Sequence, residues 1–448
     1  MLNEDENLKT ADIIKEKIIK DNAITFYTLA KYFNLNTISE TSFLYIERCF
    51  QMVVETKNFL HLDFNLIAKI LSSSELNIHS EVEVFNAAIS WLNRNSEERS
   101  KYSKQLLLKV RFHLLSEDAK IHIINRNSLL TKNNERGKPL KELLLNQKTF
   151  NSPRTDKSYK SRYCSQSKFN IILCGCRSSV VTDSKKVYRV NGSNLKNVKS
   201  LTPMINGRRF SDAVSLKGEV YVFNGYNSSN SLVKTVEKYS PSTQTWTAVT
   251  EIFDDRERFC ACAFVDKLFT LGGLSYEKDC VTNSCLQFDT KKESWKEISG
   301  MNMARYNAAC AVYQGSIVVS GGLDVNDNDS SSVESYDAFA DKWSAMPSMI
   351  SDKSFHSLVV AKDKLFVVGY GGETCEVYDS TSKKFVAIKK PRRPLVINKA
   401  LSVGNRIYVF EEKSSLVVFY DFYKDEWSEE PCEAKNLHEF SCAKIPCY

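Results

Sequence analysis

Apolar positions along the chain change their period once. From Ala11 to about Leu145 they recur every three or four residues, the spacing of one face of a helix. Val82, Phe85, Ile89 and Leu92 make one stripe, and Val84, Ala88 and Trp91 widen it. Ser80 and Glu83 stand at capping-box spacing, so a helix is predicted to begin there. After Ser96-Glu97-Glu98-Arg99 a second helix is predicted through Leu106, Leu107, Val110, Leu114 and Leu115. No glycine precedes Gly137 and no proline precedes Pro139, and so unbroken a stretch reads as stacked helical hairpins.

Beyond about residue 167 the pattern becomes short apolar strands, and the chain aligns on itself. Tyr239 precedes Trp246 by seven residues, and the same step separates Phe288 from Trp295, Tyr336 from Trp343, Tyr378 from Phe385 and Tyr420 from Trp427. The second members lie 49, 48, 42 and 42 residues apart. Upstream of each pair an apolar strand ends in small residues, as in Val220 to Gly225, Leu268 to Gly273, Ile317 to Gly322 and Leu365 to Gly369. A degenerate copy comes first (Asn170 to Cys176, then Val187-Tyr188), and the last copy has Glu411-Glu412 where the others carry small residues. Repeats of this length, with small residues (a double glycine at Gly272-Gly273 and Gly321-Gly322) where backbones crowd and two large aromatics to fill the wedge between sheets, predict a β-propeller.

These residues carry a resemblance. The aromatic pairs and double glycines resemble the Kelch repeat, and the Gly-His and Trp-Asp dipeptides of the WD40 propeller do not recur. Leu71 to Ile78, Glu81 to Ala88, Trp91, Glu97-Glu98-Arg99 and Val110-Arg111 resemble the BACK domain of Kelch-like proteins, with His113 where that family usually has proline. Residues 1–20 are similar to the end of the last BTB helix, and most of a BTB domain is absent from the sequence. The resemblance therefore implies a multidomain chain: an all-α BACK helical domain at 21–130, a basic linker with a possible helix at 131–166, and an all-β six-bladed Kelch propeller at 167–448. Arg209-Phe210-Ser211, Arg258-Phe259-Cys260, Arg305-Tyr306-Asn307 and Ser354-Phe355-His356 each open a repeat unit. The first unit lacks such a segment, and the stretch near 438–446 has its pattern, so the C-terminus is expected to complete the first blade and remove an open sheet edge.

Composition narrows the chemistry. The net charge of +7 over 448 residues is modest, and no dense basic stripe accompanies a nucleic-acid motif. Basic residues do gather between Thr131 and Arg162, a composition that reads as a solvated linker. The acidic N-terminus is unlike a signal peptide, and no apolar run nears the ~18 residues of a membrane span. Thirteen cysteines with no C-x-x-C pair read as reduced thiols in a cytoplasmic protein, without a metal site or cofactor. His356 and His438 fall on different repeats, too few for a copper centre. No nucleophile elbow, phosphate loop or H-E-x-x-H is present, so an enzyme is not expected.

A polar rim is what remains. Just before each unit's first strand stand Arg208, Arg209, Arg256, Arg258, Arg305, Lys353, Arg392 and Arg393, with aromatics beside them. Arginine with aromatics is the composition of a protein-binding hot spot. The expected partner-binding residues are Arg209, Phe210, Tyr226, Arg258, Phe259, Arg305, Tyr306, Phe355 and Arg393. By resemblance the chain is a substrate adaptor of a cullin-3 ubiquitin ligase, gripping a substrate protein with this face. Cullin-3 would bind only if a BTB domain is supplied in cis or in trans. The alternatives are a cytoskeletal protein binding actin filaments, or a competitor of intact adaptors; no nucleic-acid or membrane partner is expected.

Overall fold

The computed structural model describes residues 18–112, 115 and 169–446, apart from 77, 79, 80, 176–184, 193, 276–279, 339, 362, 363, 370–373, 396, 404, 405, 412, 413, 415, 423 and 435–439. Ser80, His113, Leu114, His438, the basic stretch 131–166 and most of segment 1–20 lie outside them. The chain divides into two units, one ending at Gln166 and the other running from Ser167 to Cys447.

The first unit is helical. Helices Ala23–Tyr32 and Asn36–Arg48 pack together, and Phe64–Ser72 and Glu81–Arg94 follow two short turns. Asp63 opens the third of these by accepting the Leu66 N–H at 2.8 Å, a satisfied N-cap. Helix Glu81–Arg94 is buried around most of its circumference, Val84, Ala87 and Ala88 as completely as Val82 and Leu92. Its Trp91 donates an indole hydrogen bond to the Leu62 carbonyl at 2.9 Å, and the Arg99 guanidinium lies 4.0 Å from the indole centre. Of the helix predicted through Leu106, Leu107, Val110, Leu114 and Leu115, the structure has the short helix Ser103–Leu107, preceded by Ser96–Arg99 and Ser100–Tyr102, and Leu114 lies outside the described residues. Beyond them tertiary partners take over the backbone. The Arg111 N–H donates to the Glu81 carboxylate at 3.0 Å, and its guanidinium donates to Ser74 Oγ at 2.9 Å. Val110 and Phe112 are buried.

The second unit contains six four-stranded antiparallel sheets, the blades of a propeller. Blade 1 is the exception in chain order, because its innermost strand, Ser441–Pro446, comes from the C-terminus and pairs antiparallel along Phe169–Cys174. Blades 2 to 6 are simple meanders whose innermost strands are Asp212–Leu216, Cys260–Phe264, Ala309–Tyr313, Ser357–Ala361 and Ile397–Val403. Each innermost strand touches the next, and the sixth returns to the first, so the ring is closed. The cores lie between blades. Phe269 and Leu271 of blade 3 pack with Ile317, Val319 and Tyr336 of blade 4, and Val222 and Tyr239 of blade 2 with Ile172 and Ala443 of blade 1. Second strands such as Glu219–Phe223 are covered on both faces and read as apolar runs, whereas outer strands such as Thr245–Glu251 are largely exposed.

The repeated aromatics sit directly opposite each other on third and outer strands. Ring centroids are 5.2 Å apart for Tyr239 and Trp246, 5.1 Å for Phe288 and Trp295, and 5.0 Å for Tyr336 and Trp343. Trp246 and Trp343 also donate to the carbonyls of Thr202 and Ser299, just past the outer strand of the preceding blade, at 2.9 and 2.8 Å. Stacking and stapling are thus done by one side chain. The double glycine lies at the end of the second strand. A β-carbon on Gly272 would come within 2.4 Å of the Arg305 carbonyl of the next blade, and one on Gly273 within 2.6 Å of the Glu257 carbonyl of its own blade. Both glycines also have positive φ, so no side chain fits there.

Candidate functional site

Meander topology sorts the loops between two faces of the propeller. Loops from second to third strands, and those from an outer strand to the next innermost strand, share one face. The remaining turns share the other. The nine expected partner-binding residues all belong to loops of the first face or to their edges, but the structure separates them into inward and outward groups.

Backbone pairing supplies the register that the repeat alone left ambiguous. Arg209 pairs with Tyr226, Glu257 with Leu274 and Tyr306 with Leu323. Equivalent positions are therefore Arg208, Arg256, Arg305 and Lys353, then Arg209, Glu257, Tyr306 and Ser354, then Phe210, Arg258, Asn307 and Phe355. The last position has positive φ in all four blades, between 50° and 55°. Aligning Arg209, Arg258 and Arg305 with one another mixes three different positions.

This register corrects the expected rim. Arg305 is fully buried, its guanidinium 2.8 Å from the Glu334 carboxylate and donating to the carbonyls of Gly321 and Ser332. Arg208 is held in the same way by Glu237 at 2.5 Å and by the Asn224 and Thr235 carbonyls. Lys353 lies 3.5 Å from Glu376, both buried. Burial pulls the Arg208 and Arg305 guanidinium groups below their ordinary range, against the pull of Glu237 and Glu334. Each glutamate also accepts backbone N–H groups of the incoming loop, Ile205 and Asn206 on Glu237, Asn302 and Met303 on Glu334. A buried pair of this kind, its terminal guanidinium nitrogens bonded to carboxylate and carbonyls, holds a loop in place.

Two blades show what the pair requires. In blade 3 the glutamate position is Leu286, and Arg256 turns instead to Asp254 at 2.6 Å and to Thr270 Oγ1, where blades 2, 4, 5 and 6 have valine. In blade 6 the cation and the glutamate are replaced together, by Leu395 and Val418 in one apolar cluster. A buried cation is kept only where an acid faces it, and in blade 3 that acid is Asp254 of the loop.

Phe259 is likewise buried, packed with Phe223 and Leu268. Tyr306 is mostly buried and donates its hydroxyl to Asp327 at 2.5 Å. Tyr226 is half-buried in its backbone ladder, and Arg393 forks onto Glu411 at 2.6 and 3.1 Å with Glu429 at 3.0 Å. Facing outward are Phe210, 59 % exposed, Phe355, 49 % exposed, and Arg258, with Arg209 half-buried and bonded to Asn230. The Arg258 guanidinium is 3.2 Å from Glu257 and 5.9 Å from the Tyr306 ring centre. The Asn307 N–H donates to the Arg258 carbonyl at 2.9 Å and the Phe355 N–H to the Asn307 carbonyl at 3.1 Å, so these three residues stand side by side across blades 3, 4 and 5.

Sequence reading missed the apolar character of this face. Ile205, Phe210, Phe253, Val325, Ile350 and Phe355 are exposed large apolar side chains, and all lie in loops of the same face. Ile205, Phe253 and Ile350 occupy one repeat position, three residues before the buried cation. Elsewhere on the described propeller only Val386, on an outer strand, is comparably exposed. The opposite face carries turns such as Lys291-Lys292-Glu293 and Lys383-Lys384. The signal was present as an apolar residue at a fixed offset in three of the loops, but loops lack the periodicity that makes apolar residues noticeable.

Below the face, Asp212 of blade 2 accepts the Ala261 N–H at 3.0 Å and Lys399 Nζ of blade 6 at 2.7 Å, tying three blades together. No group of His, Cys, Asp and Glu among the described residues is arranged to hold a metal ion. His356 donates to or accepts from Ser320 Oγ at 2.8 Å, and burial together with the charges of Lys353 and Arg305 pushes it down to about 3. The described cysteines form no disulfide, and burial pushes the Cys442 thiol up to about 12. These are packing groups rather than reactive ones.

Comparison with known proteins gives matches in both units. A family model described as BACK, BTB And C-terminal Kelch, matches residues 23–125, and one described as the KLHDC2/KLHL20/DRC7 Kelch-repeats domain matches residues 163–372. The chain is 22 % identical over 463 aligned positions to Kelch-like protein 26 of Danio rerio, covering 97 % of this chain and 75 % of that protein. It is 26 % identical over 483 positions to Kelch-like protein 7 of Rattus norvegicus, covering 93 % and 72 %. Kelch repeat and BTB domain-containing protein 2 of Homo sapiens is 22 % identical over 474 positions, covering 95 % and 72 %.

Proposed function

The chain belongs to the Kelch-like family, with a BACK domain followed by Kelch repeats, and from that premise we propose that it is a non-catalytic adaptor that selects a partner protein with one face of its propeller. The observation that carries this reading is the one-sided distribution of exposed apolar side chains. Ile205, Phe210, Phe253, Val325, Ile350 and Phe355 share a face with Arg209 and Arg258. Exposed apolar groups gathered on one surface and mixed with arginine have the composition of a protein-binding patch. The ligase role follows by likeness to the family: the selected protein is a substrate for ubiquitination by a cullin-3 ligase, reached through a BTB domain in cis or in trans.

The test is affinity purification of the full chain from cells, with mass spectrometry, beside an Arg209→Ala/Arg258→Ala variant. Arg305 is left intact because its removal would strand a buried carboxylate. The expected result is a protein that disappears in the variant, with cullin-3 retained in both samples. A face-dependent partner without cullin-3 keeps the adaptor and removes the ligase. A partner set unchanged by the variant overturns the assignment of the face.

A further inference from the structure

Blade 1 carries a cross-strand pair of like charges with no counter-charge of its own. Its third strand, Val187–Asn191, and outer strand, Asn194–Ser200, place Arg189 directly opposite Lys199. Like charges in that arrangement repel across the ladder. In blades 3, 4 and 5 an outer-strand cation faces an acid or a neutral residue: Lys342 faces Asp337, Lys384 faces Asp379 and Lys296 faces Gln287. Blade 6 has a like-charge pair too, Asp421 opposite Glu426, and there Arg406 supplies a counter-charge 3.3 Å from Asp421. Among the described residues nothing does this for blade 1. From Ser184 to Ser211 the sequence has no Asp or Glu. Lys186, Lys196 and Lys199 are exposed and Arg189 is half-buried, all without an ion pair. Val187 packs toward blade 2, so strand alternation turns Arg189 and Lys199 to that side as well. The facing outer hairpin of blade 2, from Ser240 to Thr250, has hydroxyl groups and no charge, and Glu251 beyond it pairs with neither cation. Glu237 of blade 2 is spent on Arg208. On the blade 6 side Glu429 is held by Arg393 and Glu430 by Arg406.

We propose that this flank of blade 1 is a second docking surface, and that its occupant is an acidic segment of a partner protein with a carboxylate seated between Arg189 and Lys199. Charge complementarity names the occupant, because a carboxylate placed there relieves the repulsion as Arg406 does, with signs reversed, beside Asp421 in blade 6. Lys196 and Lys199 lie at most about 10 Å apart along their strand, so three or four extended residues bearing two carboxylates span them. The cations are few and confined to one blade, which suits a short acidic stretch of protein and not a phosphate backbone, whose binding needs a longer basic track. The flank runs along the side of the propeller, so its occupancy is independent of the partner-selecting loop face.

The experiment measures a fluorescent peptide with four consecutive Glu between Gly-Ser spacers, and its Gln counterpart, by anisotropy on the full chain at low ionic strength. The variants are Lys199→Glu, Arg189→Gln and, as a control for net charge, Lys384→Glu on the outer strand of blade 5. The Glu peptide is expected to bind in a salt-sensitive way and the Gln peptide not to bind. Lys199→Glu is expected to weaken binding at least about fivefold, the scale of one exposed ion pair, with a loss on Arg189→Gln as well and none on Lys384→Glu. Lys199→Glu should also melt at the same temperature as the parent or higher, because Arg189 then faces an acid. A lower melting temperature for Lys199→Glu means that the two cations are not in conflict and overturns the inference, as does undiminished binding by that variant or no binding by the parent. Equal losses on Lys199→Glu and Lys384→Glu reduce the effect to net charge and overturn it. Loss on Arg209→Ala/Arg258→Ala alone moves the acidic peptide to the loop face, which keeps the partner-selecting reading and removes the second surface. A heparin fragment or an anionic vesicle held through Lys199 where the Glu peptide is not overturns the protein partner.

Discussion

At the scale of single residues, the direction of a side chain decides between structure and function here. Arg208 and Arg209 are adjacent in sequence, yet one is sealed against Glu237 and the other reaches Asn230 at the surface. Removing one member of a sealed pair leaves the other charge buried and unpaired. Glu334→Gln is therefore expected to destabilise the propeller by about 3–5 kcal/mol. Because blade 6 does without the pair by using Leu395 and Val418, Arg305→Leu with Glu334→Val should cost less than the two single changes summed, with a coupling of about 1–3 kcal/mol. Urea denaturation of the three variants measures this, and additive losses would mean that the two charges do not act as a unit. The acid partners were legible in principle. Glu237 and Glu334 each follow their arginine by 29 residues, whereas Glu376 follows Lys353 by 23, so the step marks the pair in two blades.

At the scale of elements, the repeated aromatic pair shows how much one side chain can join. Trp343 stacks on Tyr336 within its blade and hydrogen-bonds the Ser299 carbonyl that leads away from the preceding one. Trp295 stacks in the same way, but its indole N–H is buried without a hydrogen-bond partner. The same substitution should therefore act differently at the two sites. Trp343→Phe loses a hydrogen bond and is expected to cost about 1 kcal/mol more than Trp295→Phe, which removes an unsatisfied donor. Phe385 already occupies this position in blade 5, so the fold accommodates the smaller ring. Thermal melts of both variants decide the matter, and equal losses would reduce the staple to packing alone. Among the helices the sequence pattern was less sufficient. Residues 96–112 have helical spacing, but they form short helical segments, and the Arg111 N–H is taken by the Glu81 carboxylate instead of a helix carbonyl.

At the scale of the whole molecule, the propeller is a ring whose first blade is finished by the end of the chain. Strand Ser441–Pro446 contributes Ala443 and Ile445 to the core between blades 1 and 2, and Ser441 Oγ lies 3.0 Å from Ser211 Oγ of blade 2. Deleting residues 435–448 would expose the edge of Phe169–Cys174 and forfeit these buried side chains, each worth about 1.5–3 kcal/mol for a large apolar group. Against a total stability of about 5–15 kcal/mol, the loss should abolish a cooperative propeller transition. A truncated chain that expresses and melts like the parent would show that the ring holds without its closing strand. The face argument belongs to this scale as well, because only in the ring do loops separated by about fifty residues become one surface.

What the sequence determined by itself was everything that repeats locally. The change from a period of three or four to strand alternation, the seven-residue step between aromatics and the glycines that end second strands all follow from backbone geometry and close packing, which act over a few residues. The Kelch propeller and the helical BACK region were legible for that reason. What only the tertiary structure decided was which members of a charged and aromatic loop turn inward. Arg305 and Phe259 resemble Arg209 and Phe210 in type and neighbourhood, and differ only in register against partners on other strands. Burial is set by those partners, and a one-residue shift exchanges a sealed ion pair for an exposed group.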